Sequence, residues 1–230
     1  MPLLDQTTRT QISDILAPIQ THLELIVYTT GPLTLPDQTE SGLQDETRQM
    51  LGELVELNDK LSLIERSILS DPEARALGLN LAPTILLREA GSNRHNIRLL
   101  GLPSGYEFRT LLEALLMLGT GRLSLGERTR AEVSSIGHPM RMQVFVTPTC
   151  PYCPKAVLTA FEFAYTNPAI IAEGIEANEF PRLSSHHGIS SVPDTIITNP
   201  NSTFTATRVL GAQPDRAFVE ALLEVTRVSA

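Results

Sequence analysis

The sequence predicts an α/β protein made of two tandem units, each a mixed β-sheet flanked by helices. Three observations lead there. Short apolar and β-branched runs alternate with helix-period stretches along all 230 residues. One phrase recurs at a single offset of 110 residues: Arg98-Leu99-Leu100-Gly101 matches Arg208-Val209-Leu210-Gly211, Phe108 matches Phe218, and Pro83 matches Pro193. Finally, Cys150-Pro151-Tyr152-Cys153 holds the chain's only two cysteines at the junction of a strand pattern and a helical one.

Asp5 to Leu16 reads as a short helix with Ile12, Ile15 and Leu16 on its apolar side and Pro18 beyond its end. Leu23 to Tyr28 is a strand by its apolar, β-branched content. Leu43 to Leu57 predicts a long helix whose core stripe is Leu43, Thr47, Met50, Leu51, Leu54 and Val55. Leu61 to Ile64 is a second strand, and Asp71-Pro72-Glu73 opens a short helical turn. Ala82 to Leu87 is a proline leading into a strand, and Asn96 to Leu100 is the next strand. A leucine-rich helix follows from Tyr106 to Leu118, ended by Gly119 and Gly121, then a connecting helix from Ser124 to Ile136. This divides the chain into residues 1–120 and 121–230, the first unit without C-x-x-C and the second carrying it.

In the second unit Met142 to Thr147 reads as a buried strand, and Lys155 to Tyr165 as a helix with Val157, Leu158, Phe161 and Phe163 apolar. Thiols at i and i+3 of a first helical turn lie about 5–6 Å apart, within reach of a disulfide. A helix starting near Cys150 accommodates Pro151 and Pro154, because its first N–H groups have no partner within the helix. Cys150 then sits at the positive end of the helix dipole, which favours a thiolate and makes it the expected nucleophile. Cys153, one turn further in, is the expected resolving thiol. At the first strand the repeat offset becomes 118 residues, so Pro32 and Leu35 stand opposite Cys150 and Cys153. The first unit keeps the frame without a redox pair.

Composition narrows the function classes. With 42% apolar residues the chain is globular, and no apolar run approaches the ~18 residues of a membrane span. A net charge of −8 repels phosphate backbones, which argues against nucleic acid as a partner. Two cysteines form no structural disulfide framework, and Met1-Pro2-Leu3-Leu4-Asp5 has neither a basic n-region nor an apolar h-region. A cytoplasmic location is therefore expected.

Two fused units with Val144-Phe145-Val146-Thr147-Pro148-Thr149 leading into Cys150-Pro151-Tyr152-Cys153-Pro154 resemble the glutaredoxin-like protein disulfide oxidoreductases, which are tandem thioredoxin folds. Gly101-Leu102-Pro103-Ser104-Gly105-Tyr106-Glu107-Phe108 also looks like that family. An empty first unit before an active second one is similar to the N-terminal domain of the flavoprotein component of alkyl hydroperoxide reductase. The resemblance implies exchange with protein disulfides through the one Cys150–Cys153 pair, with no cofactor beyond that redox-active disulfide. It implies a thioredoxin-reductase-like flavoprotein as electron donor, and a peroxiredoxin as acceptor if the chain is a dedicated electron carrier. It further implies a cis Val192-Pro193 bond facing the thiols, with Val192, Pro193, Pro151 and Tyr152 meeting the substrate. A C-P-Y-C pair suggests a potential of about −200 to −230 mV.

Charged neighbours are expected to tune the thiols: Lys155 favouring the Cys150 thiolate, and Asp194, if near Cys150, opposing it. Glu176 is a candidate to move protons for Cys153, against the plainer reading of Glu176 and Glu179 as a solvated strand end. Zinc held by the two sulfurs with His186 and His187, in a loop before Gly188, and an iron–sulfur cluster on Cys150 are rival readings of the cysteines, and no metal is expected. A redox-sensing scaffold without general turnover is the rival from a different functional class.

Overall fold

A computed structural model describes residues 2–30, 42–200 and 206–228. The first half contains α1 (Gln6–Leu16), β1 (Leu23–Thr29), α2 (Gln44–Val55), β2 (Leu61–Ser67), α3 (Pro72–Ala76), β3 (Thr84–Glu89), β4 (Ile97–Leu100) and α4 (Tyr106–Thr120). The second contains α5 (Glu127–Ser134), β5 (Met140–Val146), α6 (Cys153–Thr166), β6 (Ile170–Glu176), α7 (Pro181–His186), β7 (Asp194–Thr198), β8 (Ala206–Leu210) and α8 (Asp215–Val228). Side-chain capping starts two of the helices, with Asp5 accepting from Thr8 N–H and Asp71 accepting from the N–H groups of Glu73 and Ala74.

The strands form one sheet in the order β2-β1-β3-β4-β6-β5-β7-β8. Each half contributes a parallel pair followed by two antiparallel pairings, so the repeat read in the sequence is also a repeat of topology. The halves join where β4 pairs in parallel with β6, from Ile97 opposite Ala172 to Leu100 opposite Ile175. Alternation along the strands gives the sheet two apolar faces. Leu25, Val27, Ile85, Leu99, Met142 and Val144 face the large core under α2, α4, α6 and α8. On the other face Ile26, Tyr28 and Leu86 lie under α3, and Phe145, Ile175 and Ile196 lie under α7.

Between those two smaller cores a buried ionic cluster ties the halves together. Glu173 accepts from Arg98 at 3.2 Å, from Arg141 at 2.8 and 3.0 Å, and from Gln143 at 3.2 Å. Arg98 belongs to the first half and the other three to the second.

The repeat extends to backbone detail. Ala82-Pro83 and Val192-Pro193 are both cis. Pro83 O accepts from Gly101 N–H at 3.0 Å, and Pro193 O from Gly211 N–H at 2.8 Å. Both glycines have positive φ, +94° and +80°. Several local expectations are corrected. Ile15 is 45% exposed rather than in the core stripe, and Leu43 precedes its helix and is exposed. α4 runs through Gly119, where a side chain would meet Ile19 Cγ2 at 2.7 Å, and stops at Gly121 in the left-handed region. Here glycine serves a close approach between elements instead of a helix stop. Pro32 and Leu35 lie outside the described residues.

Removing the acid at the centre of the ionic cluster leaves Arg98 buried without its counter-charge. Glu173→Ala is therefore expected to lower the unfolding free energy by about 3–5 kcal/mol, read from the midpoint of urea denaturation. A midpoint equal to that of the parent would show that the cluster holds nothing together.

Candidate redox site

Cys150 and Cys153 are joined in a disulfide with their Cα atoms 5.5 Å apart, the separation expected from the spacing. The motif sits at the C-terminal end of β5, where Cys150 N–H bonds to Thr147 O at 3.1 Å and Cys153 N–H to Cys150 O at 3.4 Å. The helix itself begins later than the sequence predicts. α6 starts at Cys153 with Tyr152 as its N-cap, so Pro154 lies in its first turn while Cys150 and Pro151 form the preceding turn. Cys153 is fully buried and Cys150 is 8% exposed. Pro151 and Tyr152 are solvent-exposed, Tyr152 at 69%. Cys150 Sγ lies 3.8 Å from the Val192 carbonyl oxygen, next to cis Pro193. Lys155 is exposed on the first turn of α6.

Asp194 is not beside the thiols. It pairs with Phe145 across β5 and β7, and its side chain therefore joins the α7 face, whereas both cysteines pack into the core on the opposite face. Its nearest cation is Arg208, at 3.4 Å. Burial pushes its carboxyl pKa up, and Arg208 opposes the rise. The expected repulsion between Asp194 and the Cys150 thiolate is withdrawn on this geometry. His186 ends α7 and His187 caps it, so neither lies in a loop. Among the described residues no group of three or more His, Cys, Asp or Glu side chains could hold a metal ion.

Glu176 ends β6 and is buried, not solvated. Its carboxylate accepts from Asn178 Nδ2 at 2.9 Å and from Glu179 N–H at 2.6 Å. Burial raises its pKa, and those donors oppose the rise.

The residue that sequence reasoning missed is Glu107, in the first turn of α4. It is 2% exposed, and its carboxylate has neither a cation nor a backbone donor among the described residues. Burial pushes its pKa up to about 7, the Thr110 hydroxyl opposes the rise, and the Glu176 carboxylate adds a smaller push upward. A cavity of about 10 Å³ at the seam of the two halves is lined by Glu107 and Glu176 together with Gly101 and Val146. Gly174 on β6 packs against Val157 of α6. One turn before Val157 is Cys153, and two residues past Gly174 is Glu176, which puts the buried thiol and both acids at the same end of the sheet.

Glu107 is brought there by a close backbone contact. Tyr106 N–H donates to Pro148 O at 2.9 Å, two residues before Cys150. Gly105, at φ +56°, stands where a Cβ would overlap that same oxygen. Only glycine fits the position.

Residues 140–224 match the family model of a thioredoxin domain. A thioredoxin of Methanocaldococcus jannaschii is 34% identical over 84 residues, which are 36% of this chain and 92% of that protein. The chain belongs to the thioredoxin family. The alkyl hydroperoxide reductase AhpF of Escherichia coli K12 is 26% identical over 195 residues, covering 85% of this chain. The chain spans 34% of that relative's length. A protein disulfide oxidoreductase from Aeropyrum pernix superposes with a TM-score of 0.82 at 24% identity, covering 98% of this chain and 96% of that one, and so shares the fold. Both resemblances read from the sequence are thereby met, and the thioredoxin-family match supports an oxidoreductase role.

In this thioredoxin-family site Glu107 links stability to pH. The folded carboxyl keeps its proton up to about pH 7, while an ordinary one releases it near 4.5. Its support for the folded state is complete below pH 4.5 and is lost as pH rises through 7. Glu107→Gln removes that slope, so relative to the parent the variant should gain about 3 kcal/mol of unfolding free energy between pH 4 and pH 8. Equal differences at the two pH values, measured by denaturant titration, would contradict the burial of an ionisable proton here.

Proposed function

We propose that the chain is a thiol–disulfide oxidoreductase acting on protein disulfides through the single Cys150–Cys153 pair. Residues 1–120 form the unit without thiols and residues 121–230 the unit that carries them. The observation behind this reading is the Cys150–Cys153 disulfide lying against Val192 O beside cis Pro193, at the exposed Pro151-Tyr152 surface.

In the reducing direction the Cys150 thiolate attacks one sulfur of a substrate disulfide. A mixed disulfide forms and one substrate thiolate leaves. Cys153 then passes its proton to the ionised Glu107 carboxylate and attacks Cys150 Sγ, which expels the second substrate thiolate. The two electrons of the dithiol end on the substrate, and the Cys150–Cys153 disulfide is restored. The pair itself stores the electrons, so this exchange requires no other cofactor. Lys155 and the N-terminus of α6 favour the Cys150 thiolate. Val192, Pro193, Pro151 and Tyr152 provide the surface that meets the substrate segment.

A second reading is specific to one relative. The likeness to the alkyl hydroperoxide reductase AhpF over 85% of the chain favours a dedicated carrier, which would take electrons from a separate flavoprotein and pass them to a peroxiredoxin. Turnover of insulin disulfides with a chemical reductant tests the general activity. Turnover confined to a flavoprotein reductase paired with a peroxiredoxin would select the carrier, and none in either assay would leave a redox sensor.

Cys150→Ser is expected to abolish disulfide reduction, and Cys153→Ser to accumulate mixed disulfides visible on non-reducing gels. Full activity in Cys150→Ser would sink the assignment.

A further inference from the structure

Two buried carboxylates, one from each half, line the small cavity at the seam, and they are held in opposite ways. Glu176 is anchored by Asn178 Nδ2 at 2.9 Å and by Glu179 N–H at 2.6 Å, donors that stabilise a charged carboxylate. Glu107 has no backbone donor among the described residues, where the Thr110 hydroxyl is the only group that opposes the rise of its pKa. Backbone packing keeps the pair close. A Cβ on Gly101 would come within 2.9 Å of both Glu176 Cβ and Glu179 Oε1, so the turn after β4 lies directly on the end of β6. Glu179 Oε1 accepts from Leu102 N–H at 2.8 Å, tying the acidic turn of the second half to the first. Burial raises the pKa of both acids, but only Glu176 has backbone donors opposing the rise. Two like groups with environments pushed apart divide the roles, one carrying the charge and the other the proton.

We infer that Glu176 is a positioning residue for the redox pair, a fixed carboxylate from the second half whose charge makes Glu107 of the first a stronger proton acceptor. It acts on the thiols through Glu107 and does not itself exchange protons with Cys153. The titratable and charged groups around Glu107 fit this assignment. Glu176 faces it from β6, Glu179 stands on the following turn, and the Cys153 thiol is at the same end of α6. Thr110, one turn along its own helix, lies 3.3 Å from Tyr106 O through its hydroxyl and favours the charged form of Glu107. Arg109 and Glu113 pair with each other on the solvent side of α4, and Lys155 is exposed on α6. No cation in this set neutralises Glu176, so its charge is felt across the cavity. The inference rests on the reading of Glu107 as the proton acceptor for Cys153.

The test is the reduction potential of the Cys150–Cys153 pair followed against pH in the full chain. The parent should show a change of slope near pH 7, where Glu107 titrates. In Glu176→Gln that break should move down by about one pH unit, because the like charge is gone. Glu176→Asp, which keeps the charge while shortening the side chain, should return it toward the parent value; a merely structural role would leave Asp as impaired as Gln. In Glu107→Gln the break should disappear, and adding Glu176→Gln should change nothing further. An unmoved break in Glu176→Gln overturns the inference alone, as does an undiminished effect of Glu176→Gln in the Glu107→Gln background. If Glu107→Gln keeps the parent profile, the assignment of Glu107 falls and this inference with it.

Discussion

The parallel pairing of β4 with β6 is the constraint on which the rest of the molecule depends. Four residues on each strand turn two sheets into one, and the register from Ile97 opposite Ala172 to Leu100 opposite Ile175 decides which residues meet at the seam. At the C-terminal end of that seam Gly101 comes against Glu176, α4 begins at Tyr106, and its first N–H reaches the loop that carries Cys150. A slip of one residue would exchange the two faces of β4, moving Ile97 and Leu99 out of the large core and Arg98 into it. The redox loop and the first half are therefore fixed relative to each other by backbone pairing, and glycines at 101, 105 and 174 permit the close approach.

Two buried acids near this seam show how differently one physical situation can be resolved. Glu173 is surrounded by Arg98, Arg141 and Gln143, so its charge is matched and its role is cohesion between the halves. Glu107 receives no such partner among the described residues, and its proton is retained to about pH 7. A buried carboxylate without a counter-charge is the kind of group that exchanges protons at functional sites. The two lie on opposite faces of the same sheet. Glu173 shares the face of α3 and α7, and Glu107 belongs to a helix packed on the face that carries the cysteines.

The architecture was legible because it is written in local patterns and a long-range repeat. Apolar alternation gave the strands, and the offset between Pro83 and Pro193 marked two equivalent frames that the sheet order and the paired glycine contacts reproduce. The C-x-x-C located the disulfide. What escaped depended on parity or on tertiary burial. Asp194 follows the proline that the resemblance sets facing the thiols, which makes it a candidate neighbour of Cys150, yet a side chain one residue further along a strand points to the opposite face. Glu107 stands in the first turn of a helix, where an acid is ordinary and favoured by the helix dipole, so nothing local marks it as buried. The Gly101-to-Phe108 phrase drew attention as a likeness, while its chemistry became visible only once Pro148 was seen against Gly105 and Tyr106.

The absence of thiols from the described part of the first half does not make that half dispensable. The second half contains Cys150, Cys153, cis Pro193 and the helix start that favours a thiolate. Without the first it would lose the Tyr106 donor that holds Pro148 and the buried Glu107 at the seam. β6 would become an open sheet edge, with Glu173 stripped of Arg98. Under the proposed function electrons and protons are divided between the halves, the sulfurs of one storing the electrons and a carboxyl of the other exchanging the proton. Cohesion comes from the same seam, so a change that loosens the pairing of β4 with β6 weakens the contacts that hold Gly105 and Tyr106 against Pro148 as well as the fold.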